Sequence, residues 1–295
     1  MADYRGDLRG VYVAAVTPFR EDASLSLDVG AYLEHVAWLS ESGVRGVVAF
    51  GTNGEGPSVS LGEKMEALKA LFARSLPVDV VPTVAQGSLP ETLEMLRLLE
   101  DYPARAVMVL PPYYFRPAAA EGLRLFYERV VEATRHPVIL YHIPKYAVPI
   151  PPELAGHLPV WGVKDSGGEP GYAEAVRASG KGVLAGTEDD LWKRINGGAA
   201  GVVSALANFV PDLVVEVYER ARSGDRAGGV ALSERLRGVR AMTKEHDSRA
   251  ILKRLAEVRH GVPLGTVRPP LVPVPDGYDP NRILQRVMDI QGEEA

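Results

Sequence analysis

One pattern constrains this chain more than any other. A short, nearly all-apolar run of strand character is followed by a segment of helical length, and the pair recurs eight times within the first 224 residues. The strands are expected at Gly10–Val16, Gly46–Phe50, Val78–Val84, Ala106–Leu110, Pro137–Tyr141, Val160–Lys164, Gly182–Ala185 and Ala200–Ser204. Between them the apolar spacing switches to that of helices, as in Leu27, Tyr32, Leu33, Val36 and Leu39. Strands without polar alternation are buried on both faces, which requires a parallel sheet covered by its crossover helices. Eight such units fit a closed (β/α)8 TIM barrel. A doubly wound open sheet would carry a glycine-rich turn after its first strand; here Thr17-Pro18-Phe19 stands there. Beyond Gly224 the strand signals stop. Helices are expected over Ala227–Glu245 and Arg249–His260, then a proline-rich stretch Val267–Pro273 and a last helix from about Pro280 with Asp279 as its cap. The expected organisation is therefore a barrel over residues 1–224 and a C-terminal helical appendage over 225–295.

Charge and composition exclude several classes. The chain of 295 residues carries a formal charge of −5, whereas nucleic-acid binders show a basic excess. It contains no cysteine, so disulfides, thiolate-held metals and thiol nucleophiles are ruled out. No apolar run reaches membrane-spanning length, and the stretch from Met1 to Asp7 lacks the apolar core of a secretion signal. These features point to a cytoplasmic protein that partners neither nucleic acid nor membrane.

In such a barrel, the residues that do chemistry sit at the carboxyl ends of the strands. The most telling is Lys164, which closes the run Val160-Trp161-Gly162-Val163 ahead of the polar turn Asp165-Ser166-Gly167-Gly168. Burial penalises the ammonium form over the free amine, and a free amine can attack a ketone to form a Schiff base. Lys145, Lys181 and Lys244 fall in polar segments expected to be solvated. After the second strand, Gly51-Thr52-Asn53-Gly54-Glu55 offers backbone N–H groups and a hydroxyl suited to a carboxylate or a phosphate. The fifth strand ends in Tyr141, whose phenol can relay protons. Pro111-Pro112-Tyr113-Tyr114-Phe115-Arg116-Pro117 is stiff and aromatic, suited either to local packing or to reaching a neighbouring subunit as a rigid arm. Glu188, Asp189 and Asp190 open the seventh helix, where carboxylates favour the helix dipole, and Glu188 or Asp189 is placed to meet substrate hydroxyls. The histidines are scattered in sequence, none pairs with another at metal-ligand spacing, and no metal site is expected.

Taken together, these strand ends resemble the dihydrodipicolinate synthase / N-acetylneuraminate lyase family of pyruvate-type class I aldolases. The resemblance rests on Val16-Thr17-Pro18-Phe19, Gly51-Thr52-Asn53-Gly54-Glu55, Pro112-Tyr113-Tyr114, Tyr141-His142-Ile143-Pro144, Gly162-Val163-Lys164-Asp165 and Ala205-Leu206-Ala207-Asn208. It implies that Lys164 forms the Schiff base with a 2-oxo acid and that Thr52 and Asn53 hold the substrate carboxylate. Tyr141 would shuttle protons with Thr52 and a Tyr114 lent by a neighbouring subunit, and the backbone around Gly186 and Val203 would line the pocket. It further implies a homo-oligomer, expected to be a tetramer built as a dimer of dimers, acting on a 2-oxo acid and an aldehyde with no cofactor.

Within that family, dihydrodipicolinate synthases place an arginine two residues past the proline of the Tyr-x-x-Pro stretch. Here Pro144-Lys145-Tyr146 puts a tyrosine there, and His142 replaces the usual asparagine. The expectation is therefore an aldolase of the 4-hydroxy-2-oxoglutarate or 2-keto-3-deoxy-sugar-acid type, with the synthase as the alternative. From other classes, a non-catalytic small-acid sensor and a metal- or phosphate-dependent barrel enzyme remain. Fold alone does not separate these; the joint presence of Lys164, Tyr141 and Thr52 speaks for the aldolase.

Overall fold

The alternation of apolar runs and helices resolves, in a computed structural model that describes residues 6–292, into a closed barrel of eight parallel strands. Residues 1–5, read above for a secretion signal, lie outside the described part. The strands are β1 Gly10–Ala14, β2 Gly46–Ala49, β3 Asp79–Val84, β4 Val107–Val109, β5 Val138–His142, β6 Gly162–Asp165, β7 Gly182–Ala185 and β8 Gly201–Ser204. Each pairs in parallel with its neighbours in sequence, and β8 closes on β1. The intervening helices are α1 Val29–Ser40, α2 Leu61–Ala73, α3 Leu89–Leu99, α4 Ala120–Glu132, α5 Pro152–His157, α6 Tyr172–Ala178, α7 Leu191–Asn196 and α8 Pro211–Ser223. Then follow α9 Arg226–Met242, α10 Ser248–His260 and α11 Asn281–Gly292. Among the described residues, no helix is long and apolar enough to cross a membrane.

The two-residue period of the strands sorts every side chain to one of two places. Tyr12, Ala14, Val48, Val81, Met108, Ile139, Tyr141, Leu184 and Val203 fill the barrel interior. Their immediate neighbours Val13, Val47, Val80, Val109, Leu140, Val163 and Val202 point outward beneath the helices. That is why the strands show no polar face. The strand ends differ slightly from expectation: β5 runs one residue past Tyr141 to His142, and β6 one past Lys164 to Asp165. In register, Tyr141 lies beside Lys164 and His142 beside Asp165. Parity then sends Tyr141 and Lys164 inward, and His142 and Asp165 outward.

Helix starts carry the expected chemistry. Ser60 and Glu63 form a reciprocal capping box on α2, while Asp28, Ser88, Asp225 and Asp247 each accept an N–H at the start of their helices. Asp279 accepts the Asn281 N–H at 2.9 Å ahead of α11, as anticipated. The acidic run before α7 behaves differently. Asp190 sits at the cap in a left-handed conformation and makes no capping hydrogen bond with its side chain, and the carboxylates of Glu188 and Asp189 are engaged elsewhere, as described below.

Two tethers hold the ends of the barrel's carboxyl face. Asn208, just after β8, accepts the Val16 N–H at 3.0 Å and donates to the Ala14 and Ala205 carbonyls, stitching the β1–β8 seam. Its Oδ1 also meets His35 Nε2 at 3.1 Å. His35 Nδ1 in turn meets His260 Nε2 at 3.0 Å, and His260 Nδ1 accepts the Val262 N–H. The fixed direction of that last bond sets the others: His260 donates to His35, and His35 donates to Asn208. The second tether joins the appended helices to the loop after β2. Lys253 of α10 and Glu55, both fully buried, meet at 2.5 Å, and Lys253 also donates to the Thr266 carbonyl at 2.6 Å. Glu55 accepts the Arg268 N–H at 3.0 Å as well. The Arg268 guanidinium pairs with Glu63 and donates to Ser58 O and Leu25 O; its hydrogen bond to Glu63 pulls that carboxyl down to about 2.

Candidate active site

The loop from Phe50 to Gly56 is shaped by its backbone. Phe50 and Glu55 both hold positive φ, 57° and 52°, an uncommon conformation for side-chain-bearing residues that persists where the surroundings enforce it. Gly56 is obligatory, because a Cβ there would lie 1.9 Å from the Phe50 carbonyl oxygen. Thr17 donates to the Gly54 carbonyl at 2.6 Å, and the buried Glu55 anchors the far side. So held, the loop leaves the backbone N–H groups of Thr52 and Asn53 without an acceptor among the described residues, and both residues line the cleft at the carboxyl end of the barrel.

That cleft, about 340 Å³, gathers Lys164, Tyr141, Thr52, Asn53, Gly186 and Val203. Six of the seven residues singled out from the sequence thus come together from β2, β5, β6, β7 and β8. Lys164 is 5% exposed. Its Nζ lies 4.0 Å from the centre of the Tyr141 ring, and among the described residues it makes no ion pair. The Tyr141 phenol is 2.9 Å from Thr52 Oγ1. Gly186 permits a close approach: its N–H donates to Asp165 O at 2.7 Å, and a Cβ would sit 2.1 Å from Ser166 Oγ. Together the cleft offers an amine, a hydroxyl pair able to pass a proton, and two unspent amide donors.

Tyr114 stands apart from these six. It lies on the loop after β4, 82% exposed, edge-on to an equally bare Phe115 with ring centres 5.3 Å apart. It is not part of the cleft of its own chain. A larger depression of about 590 Å³ opens at the opposite end of the barrel, around Arg9, Arg45 and Arg222. There Asp79, at the start of β3, pairs with Arg45 at 2.8 Å.

The acidic run resolves into two roles. Glu188, fully buried, accepts from Ser204 Oγ at 2.5 Å and from the Leu206 N–H at 2.9 Å, and pairs with Arg240. Its acceptor sites are committed to structure. Asp189 lines the cleft, accepting from Thr187 Oγ1 at 2.9 Å with Arg240 Nε at 3.4 Å. Burial alone would raise its carboxyl, but Thr187 and Arg240 outweigh it and hold the group below its usual range.

Several features were invisible in the sequence. His142, Asp165 and Glu169 come within metal-ligand distance of one another on the outer side of β5 and β6, a cluster contributed by two segments, the end of β5 and the end of β6 with the loop that follows it. The hydrogen bonds decide its nature. His142 Nδ1 accepts the Ile150 N–H at 3.2 Å, so Nε2 carries the proton and donates to Glu169 at 3.1 Å. That tautomer leaves no lone pair at Nε2 for an ion. His142 thus links β5 to the loop after β6, and its ring stacks on Tyr172 at 4.0 Å. The two histidines His35 and His260, 225 residues apart, are likewise brought together. Lys181 is not solvated as expected: it donates to the Leu158 and Val160 carbonyls at 2.8 and 3.1 Å, and burial lowers its pKa. Lys64 and Lys253 are the more deeply buried lysines, at 1% exposure each, and both lie outside the cleft. The mouth of the cleft also takes Ser248 and Arg249 from α10. No strand-end argument could reach these two, since they follow the last strand by more than 40 residues.

Comparison with known proteins agrees with this geometry. Residues 7–284 match the model of the "Dihydrodipicolinate synthetase family". A 4-hydroxy-tetrahydrodipicolinate synthase from Chlamydia trachomatis is 34% identical over 71% of this chain and 73% of its own length. A solved dihydrodipicolinate synthase superposes with a TM-score of 0.86 at 27% identity, covering 97% of this chain and 99% of that one. A variant of the 2-keto-3-deoxygluconate aldolase of Sulfolobus solfataricus shares the fold with a TM-score of 0.88 at 22% identity, covering 96% and 97%. With an amine, a phenol–hydroxyl pair and open amide donors meeting at the carboxyl end of a (β/α)8 barrel, this chain belongs to the dihydrodipicolinate synthetase family and is a carbon–carbon lyase.

Proposed function

We propose that the protein is a cytoplasmic class I aldolase that makes or cleaves a C–C bond of a 2-oxo acid through a Schiff base on Lys164, of the 4-hydroxy-2-oxoglutarate or 2-keto-3-deoxy-sugar-acid type. The observation that carries this reading is the buried Lys164 amine 4.0 Å from the Tyr141 ring, whose phenol is bonded to Thr52 at 2.9 Å. The substrate carboxylate accepts from the Thr52 and Asn53 amides. The Lys164 nitrogen adds to the C2 carbonyl carbon, the oxygen takes up protons through Tyr141, and water leaves to give the protonated imine. In the cleavage direction Tyr141, relayed by Thr52, takes the proton of the C4 hydroxyl. The C3–C4 bond breaks, its electron pair moves to the imine as an enamine, and the C4 fragment departs as an aldehyde. Protonation at C3 and addition of water release pyruvate and the free amine. Addition of the enamine to an aldehyde is the same path reversed. No step calls for a cofactor or a metal.

Tyr114 completes the relay if a second copy inserts it; its exposure beside Phe115 supports a homo-oligomer, a tetramer formed as a dimer of dimers. The synthase reaction is the second reading, favoured by the names of the relatives. The tyrosine at position 146, where the synthase pattern has arginine, speaks against it.

The test is reductive trapping. With pyruvate and borohydride together, peptide mapping should find the adduct on Lys164 alone, since Lys64, Lys181 and Lys253 face carbonyls or carboxylates away from the cleft. Lys164→Ala should abolish trapping and C–C cleavage. Tyr141→Phe should slow turnover by roughly 10²–10⁴-fold while pyruvate binding persists. An adduct spread over surface lysines, or none, would remove the Schiff-base mechanism and favour the sensor.

A further inference from the structure

The two amide donors of the cleft sit on a turn that is braced from outside the barrel. The Thr52 carbonyl accepts the Glu55 N–H at 3.2 Å, and the Gly51 carbonyl accepts the Gly56 N–H at 3.0 Å. Residues 51–56 are therefore one closed unit, and a shift of Glu55 passes directly to Thr52 and Asn53. Glu55 also carries one of the positive φ values of the loop, 52°, which needs enforcement from its surroundings. The appended segment supplies it. Lys253 lies 2.5 Å from Glu55 Oε1, and the Arg268 N–H donates to Oε2 at 3.0 Å. Lys253 is fixed in turn by the Thr266 carbonyl at 2.6 Å, and the Arg268 guanidinium by Leu25 O, Ser58 O and Glu63. The Phe19 ring faces both cations, its centre 4.4 Å from Lys253 Nζ and 4.2 Å from the Arg268 guanidinium carbon. Burying such a pair carries a desolvation penalty that apolar packing avoids. Docking α10 does not require it, since Ile251, Leu252 and Leu255 already bury that helix. What the pair adds is direction: a carboxylate gripped at each oxygen by a different donor has one orientation.

We infer that Lys253, acting through Glu55, is a positioning residue that sets the convergence of the Thr52 and Asn53 N–H groups on the carboxylate of the 2-oxo acid. This rests on the Schiff-base reading, which places that carboxylate beside the two amides when C2 is bonded to Lys164. Without Lys253, Glu55 keeps only the Arg268 N–H, its backbone is free to leave the positive-φ conformation, and the two amides no longer aim at one point. The preference for a 2-oxo acid over a simple ketone is then the property that the brace controls, and it is controlled from the appended helices.

The experiment compares borohydride trapping of pyruvate with that of acetone, in which a methyl group replaces the carboxylate and nothing meets the amides. The wild-type protein should trap pyruvate on Lys164 in preference to acetone. Lys253→Met should lower the ratio of the two trapping rates by roughly 10–100-fold, the worth of a charge-assisted hydrogen bond or two, while acetone is still trapped. Glu55→Gln, which keeps one of the two acceptor oxygens, should give an intermediate ratio. Lys253→Met leaves a buried carboxylate without its ammonium and can fail to fold. The double variant Glu55→Met, Lys253→Met has no unmatched charge and should show the same lost preference. A wild-type ratio in a folded variant that lacks Lys253, or an equal fall for pyruvate and acetone, would overturn the positioning role. Absence of pyruvate trapping in the wild-type protein would instead overturn the Schiff-base reading beneath it.

Discussion

Lowering the pH should strip stability from this protein through one imidazole. His35 is fully buried, and desolvation, reinforced by His260 beside it, pushes its pKa down to about 3 from 6.5. In the unfolded chain the ring takes a proton near pH 6.5; in the folded chain it does not until about pH 3. Between those values the unfolded state binds more protons, so the contribution to stability is complete above pH 6.5 and is lost as pH falls. At one pKa unit per about 1.4 kcal/mol, acidification from pH 7.5 to 5 spans about 1.5 units and should cost about 2 kcal/mol from His35 alone. The structural cause is specific: a second proton would set His35 Nδ1–H against His260 Nε2–H at 3.0 Å. Urea unfolding at the two pH values, at one fixed protein concentration, measures the loss in the wild-type protein and in His35→Gln. The glutamine can still donate to Asn208 but has no proton to gain. The variant should be less stable at pH 7.5 and should lose about 2 kcal/mol less on acidification. Equal losses in the two proteins would refute the assignment.

Two further outcomes follow from packing and burial. Gly186→Ala places a Cβ 2.1 Å from Ser166 Oγ and 2.7 Å from Asp165 O, so it should cost about 1–3 kcal/mol of stability and weaken pyruvate binding, read by thermal unfolding and by calorimetric titration. Lys64 is buried against Gln86 at 2.7 Å, and desolvation lowers its pKa to about 8. The folded state thus sheds this proton before the unfolded state does, and stability should rise as pH increases from about 8 to 10.5. Lys64→Met should flatten that rise, seen as a smaller gain in urea midpoint between pH 8 and 10.

What the sequence revealed, and what it hid, divides along one line. That Lys164, Tyr141, Thr52 and Asn53 would share one cleft was legible because each sits at or just past a strand end, and a parallel barrel sends all its strand ends to one rim; Gly186 and Val203 were reached only through the family resemblance. The barrel itself was legible because double burial suppresses the polar alternation of its strands. The hidden features depend on which face of a strand a residue takes and on contacts between distant segments. His142 and Asp165 look like site residues by position, yet parity turns them outward toward Glu169. Glu188 looked free to meet substrate, but the turn after β8 and Arg240 of α9 claim it. Arg249 could not be found from barrel logic, because α10 is placed by the burial of Ile251, Leu252 and Leu255 together with the buried contact of Lys253 with Glu55.

That contact has a consequence for how this protein can be cut or recombined. A boundary drawn at Gly224, between eight strand–helix units and the trailing helices, passes through a buried ion pair. A fragment ending there would strip Glu55 of both Lys253 and the Arg268 N–H and open it to water, in the loop that presents Thr52 and Asn53. The trailing helices are thus not a module that can be exchanged or deleted independently. Recombination that swaps them between relatives must carry both members of the pair, or it inherits a barrel whose active-site loop has lost its anchor.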